Sequence, residues 1–120
     1  MSSIERRAYL RYKISLPVNL ENSEGIFYET KTKDISLGGM QVECNGGMLY
    51  RLLPNGLKTS RAEEVALKAH IKADDKDGGV VVNTHVQGVL RLAESDYSLR
   101  LLFVDLNNEQ KSQLEKLLKE

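Results

Sequence analysis

Apolar residues recur at every second position in several separate blocks of this chain, and that period restricts the fold more than any other feature. Ile14, Leu16, Val18 and Leu20 form one block, Met40, Val42 and Cys44 another, and Leu99, Leu101 and Phe103 a third. Val65, Leu67, Ala69, Ile71 and Ala73 alternate in the same way. Side chains two apart share one face of a strand, so each block reads as a half-buried strand. Ile26 to Lys33 and Val80 to Leu92 add two more, and residues 14–33 read as a hairpin around Asn22-Ser23-Glu24-Gly25. Ser60-Arg61-Ala62-Glu63 matches a helix capping box, but the longer alternation behind it favours a strand over 64–73. Met48 to Ala62 reads as a buried connection with one helical turn, after Gly46-Gly47 end the third strand.

The period changes only at the end. Leu114, Leu117 and Leu118 fall at helical spacing behind Asn107 and Asn108, either of which can serve as N-cap. About six short strands followed by one amphipathic helix point to a sandwich or a barrel. A chain of 120 residues is one domain of this kind.

Composition removes several functions. Lys and Arg number 17 and so do Asp and Glu, which argues against a general coat on nucleic acid or anionic membrane. Aromatics are 6% and Trp is absent, so a single-strand binder with stacking platforms is poorly supported. No apolar run is long enough to cross a bilayer and no secretory signal is visible, so membrane insertion is not expected and the expectation is a cytoplasmic protein. A lone Cys44 fits that compartment and reads as a small core residue. His70 and His85 have no neighbour at ligand spacing, and Asp74-Asp75-Lys76-Asp77 lacks a calcium loop's closing Glu, with His85 in its place. No metal, cofactor, nucleophile or acid–base pair is expected, and an enzyme is the least supported class.

Two local features remain. Residues 1–13 hold Arg6, Arg7, Arg11 and Lys13 against Glu5, whereas 14–30 hold Glu21, Glu24 and Glu29 and no cation. A guanidinium grips phosphate through paired hydrogen bonds and stacks on bases. The second feature is Asp34-Ile35-Ser36-Leu37-Gly38-Gly39 between two strands. Asp34 offers a carboxylate suited to the paired N–H donors of a guanine edge. Gly38 and Gly39 permit positive φ and close approach of a ligand. Taken singly, these are also what a solvated basic tail and an ordinary turn look like.

Together, Arg6-Arg7-x-x-x-Arg11 and Asp34-x-Ser36-x-x-Gly39 resemble the two motifs of the PilZ family, receptors for the bacterial second messenger cyclic di-GMP. Val89-Leu90-Arg91, the strand ending at Phe103 and the closing helix are similar to the family layout. Arg100 stands where the family often has Gly, and 54–64 reads as an insertion. The resemblance implies a mainly β fold, a six-stranded antiparallel β-barrel with a C-terminal α-helix. It implies a flexible arginine segment over 1–12 and a single barrel domain over 13–120. The implied ligand is cyclic di-GMP, with Arg7 and Arg11 on phosphate and guanine and Asp34 on a guanine edge. Ser36, Gly38 and Gly39 would lie against base or phosphate. The double arginine implies an intercalated ligand dimer held with Arg6, and Arg91 is a flanking candidate. Binding would order residues 5–12 and signal to a downstream protein of unknown identity. The alternative is a scaffold of the same fold that acts through protein contacts without ligand.

Overall fold

The computed structural model describes residues 10–53, 65–73 and 79–119. Six strands, β1 (Pro17–Glu21), β2 (Phe27–Ile35), β3 (Gly39–Asn45), β4 (Ala66–Lys72), β5 (Gly79–Ala93) and β6 (Asp96–Val104), close into a barrel in the order β1-β2-β3-β6-β5-β4. All neighbours are antiparallel, and β1 against β4 closes the ring. Two helices, α1 (Gly46–Leu52) and α2 (Asn108–Lys119), accompany them. The barrel and final helix are those expected from the alternation and the family layout.

The alternating residues fill the interior. Val18, Leu20, Met40, Val42, Ala69, Ile71, Leu99 and Leu101 are buried together. Leu114, Leu117 and Leu118 join the same cluster, so the helical stripe belongs to the core. The α2 cap is reciprocal. Asn107 Oδ1 accepts from the Gln110 N–H at 2.7 Å, and Gln110 Oε1 accepts from the Asn107 N–H at 2.9 Å. The Gln110 amide also donates to the Val81 carbonyl at 2.8 Å and ties the helix to β5.

The segment 34–39, expected to lie between strands, does so only in part, since Asp34 and Ile35 end β2 and Gly39 opens β3. Two further boundaries differ from expectation for local reasons. The first strand was expected from Ile14, but β1 begins at Pro17 because a side chain enters the ladder. The Thr32 hydroxyl donates to the Ile14 carbonyl at 2.6 Å and accepts from the Leu16 N–H at 2.9 Å. Thr32 is 1% exposed, so Thr32→Val strands both backbone groups in an apolar setting. The expected loss is about 2 kcal/mol in a urea titration, against no change if these bonds contribute nothing. The second difference is the helical turn expected within 48–62, which starts earlier, at Gly46, directly after β3 ends. Gly46 and Gly47 open α1, because the Asn45 side chain accepts from the Met48 N–H at 2.8 Å and offsets their poor propensity. The capping-box residues 60–63 and the remainder of 54–64 lie outside the described residues.

Cys44 is buried, and loss of hydration pushes its thiol up to about 11. At pH 8 that leaves roughly one thiolate per thousand molecules. A thiol-reactive dye should label the native protein slowly and the urea-unfolded protein promptly; equal rates would contradict the burial. His70 instead faces Glu21, with Nε2 and Oε1 3.0 Å apart, and its ring lies 5.2 Å from that of Phe27.

Candidate functional site

The outer face of β2 and β3 carries the polar motif, and a single extra residue puts it there. Val18 opposite Thr30 and Thr32 opposite Val42 set the inward phase of β2. Continuing that phase would turn Asp34 into the core. The register shifts between Thr32 and Asp34, leaving Lys33 as a bulge. Asp34 therefore pairs with Gln41 on the outer face, and Ile35 goes inward at 0% exposure.

Arg11 reaches Asp34 because the chain before β1 returns along β2. Tyr12 and Ile35 form a two-bond antiparallel bridge, at 2.8 and 3.0 Å. Arg11 Nη2 then lies 3.0 Å from Asp34 Oδ1. Arg11 is 47% exposed and Asp34 only 17%. The approach is a charge contact without hydrogen-bond alignment, since buried Oδ1 accepts no hydrogen bond among the described residues. The other oxygen, Oδ2, accepts from the Gln41 amide at 3.2 Å, and Gln41 Oε1 accepts from the Ser98 hydroxyl at 2.7 Å.

Ser36, Gly38 and Gly39 build the adjoining turn. The Ser36 N–H donates to the Gly39 carbonyl at 2.8 Å, and the Gly38 N–H donates to the Ser36 hydroxyl at 3.1 Å. The Ser36 hydroxyl faces the Gly39 carbonyl at 3.3 Å and is 1% exposed. The positive φ that glycine permits is not used at Gly38 or Gly39; among the described residues Gly25, Gly79 and Asp105 have it. Gly39 is needed for a different closeness. A Cβ there would strike the Leu101 carbonyl oxygen of β6, so the glycine lets β3 and β6 pair. The Phe103 N–H donates to the Gly38 carbonyl at 3.0 Å and fixes the turn to β6.

Arg6 and Arg7 lie outside the described residues. Arg91 bonds the Ala93 and Glu94 carbonyls of its own turn, at 3.2 and 3.4 Å. Arg100 is exposed on the outer row, opposite Gln41 on one side and Gly88 on the other. Gln41, Ser98 and Thr32 were not singled out from the sequence. Only the bulge and the register bring Gln41 opposite Asp34, and neither leaves a mark in the apolar pattern.

Two concavities lie away from the Arg11–Asp34 face. One concavity of about 500 Å³ lies among His70, Val81 and Gln110, and another of about 530 Å³ among Pro17, Lys31 and Met48. Neither includes Arg11, Asp34 or Ser36. Among the described residues no helix is long and apolar enough to cross a membrane, and no group of three or more His, Cys, Asp and Glu side chains is placed to hold a metal.

A family model described as PilZ domain matches residues 5–120. Among solved structures, the chain is similar to the Bacillus subtilis inhibitor of motility MotI/DgrA, with a TM-score of 0.69 and 18% identity over 95% of this chain and 48% of that one. The K. pneumonia MrkH–c-di-GMP complex gives 0.70 and 21% over 95% of this chain and 51% of that one. The PilZ domain with c-di-GMP of YcgR from Escherichia coli gives 0.69 and 13% over 95% of this chain and 89% of that one. At these identities the likeness concerns the fold. The chain spans about half the length of the B. subtilis and K. pneumonia proteins. No match is found among curated proteins.

Proposed function

We propose, on the premise that this chain belongs to the PilZ domain family, that it is a non-catalytic receptor for cyclic di-GMP. The observation that carries the reading is the Asp34 carboxylate on the outer barrel face. Among the described residues its Oδ1 accepts no hydrogen bond and is met by the half-exposed Arg11. A guanine edge presents N1–H and N2–H side by side, and a carboxylate accepts both. Displacing Arg11 from a contact this exposed costs about 1 kcal/mol or less. The released guanidinium then meets phosphate or stacks on the base.

Arg7 is the second phosphate and guanine contact, and Arg6 helps to hold a second, intercalated ligand molecule. Residues 5–12 order over the ligand, with the Tyr12–Ile35 bridge as their fixed end. The reshaped face is what a downstream protein reads in the bacterial cytoplasm, and only a difference in that partner's affinity for the two states drives the signal.

Isothermal titration with cyclic di-GMP tests the reading and its stoichiometry. Heat that saturates at one or two ligands per chain supports it. Absence of heat at high ligand concentration overturns it, and together with a partner captured without ligand would favour the scaffold alternative.

A further inference from the structure

Gln41 stands between a carboxylate and a hydroxyl, and this fixes which way its amide faces. A carboxylate only accepts, so the Nε2 end points to Asp34 Oδ2 at 3.2 Å, and Oε1 accepts from Ser98 at 2.7 Å. Ser98 is 2% exposed and sits on β6, one strand beyond Gln41. The link therefore crosses β2, β3 and β6 and ends on a side chain anchored in the barrel wall. Its effect falls on Asp34. The terminal torsion of an aspartate is soft, and a free carboxylate turns to offer both oxygens to a guanidinium. Tethering Oδ2 leaves Arg11 a single contact, at Oδ1.

We propose that Gln41, oriented by Ser98, is a positioning residue that sets the Asp34 carboxylate for a guanine edge and limits its competing pairing with Arg11. This rests on the receptor reading above. Removing the amide has two consequences: the carboxylate loses its orientation, and Arg11 becomes a stronger competitor. An adenine edge does not present the paired donors that an oriented carboxylate accepts, so the effect is on selectivity as well as on affinity.

The test uses the full chain, with cyclic di-GMP titrated directly and cyclic di-AMP as competitor. In the ligand-free protein, the Gln41 side-chain amide signals in NMR should exchange slowly with solvent and lose that protection in Asp34→Ala. Gln41→Leu, titrated at a temperature where it is fully folded, should weaken cyclic di-GMP by about tenfold and reduce its advantage over cyclic di-AMP by about fivefold. Ser98→Ala should move both in the same direction by about threefold. Wild-type protein that binds no cyclic di-GMP overturns the receptor reading and this inference with it. Wild-type binding with Gln41→Leu unchanged in affinity and selectivity overturns the inference alone. So does equal weakening of both ligands in the folded variant, or amide exchange as fast in the wild type as in Asp34→Ala.

Discussion

Asp34→Ala is expected to abolish cyclic di-GMP binding while leaving the barrel folded. Each charge-assisted hydrogen bond from a guanine edge contributes about 1.5–3 kcal/mol, so losing a pair weakens binding by roughly a hundredfold or more. The structural cost is small by comparison. The ion pair with Arg11 has one partner 47% exposed, and such pairs contribute about 1 kcal/mol or less. Gln41 keeps its Ser98 bond and, being only partly buried, can hydrate the amide it frees. Titration calorimetry beside a thermal melt separates the two effects. Asp34→Asn should fall between alanine and wild type, because it retains one acceptor oxygen but turns a donor toward the guanine donors. Affinity within threefold of wild type in Asp34→Ala would remove this carboxylate from the ligand's contacts.

The motif that carries Asp34 was legible as a string of residues, but its geometry was not. The strands were readable because a closed barrel buries one face of each, so Val18, Leu20, Val42, Leu99 and Leu101 had to alternate. The closing helix was readable because its Leu stripe changes period. The stretch Thr30-Lys31-Thr32-Lys33-Asp34 is polar on both faces, so nothing in it reveals the bulge that re-aims Asp34. Nor does it reveal that Thr32 points inward and fastens the chain at Ile14 and Leu16. At Gly46-Gly47 the propensity was read correctly and lost to the Asn45 cap. At Thr32 and Asn45 hydrogen bonds from a side chain to the backbone decided the outcome, and hydropathy is blind to them.

Gly39→Val is expected to produce the largest loss of stability of any single change in the motif. The backbone at Gly39 has an ordinary φ, so conformational strain is not the reason. The reason is that a Cβ would collide with the Leu101 carbonyl oxygen, and backbone has no rotamer with which to yield. β3 and β6 must move apart, although their seven-residue register from Gly39–Leu102 to Asn45–Asp96 closes the barrel wall. The Ser36–Gly39 turn bond and the Phe103–Gly38 bond lie at the same spot. Overpacking of this kind costs about 3 kcal/mol or more, a large share of the roughly 5–15 kcal/mol that holds a domain together. A fall in melting temperature of about 10 °C follows. A melt within 2 °C of wild type would mean that β3 and β6 have slack the structure does not display. The comparison with Asp34→Ala matters for reading any binding loss. Ligand binding lost at Gly39 should return in the fraction of protein that stays folded at low temperature, since the glycine's role is to let two strands approach. Binding lost at Asp34 should not return at any temperature, since there the missing group is the acceptor itself.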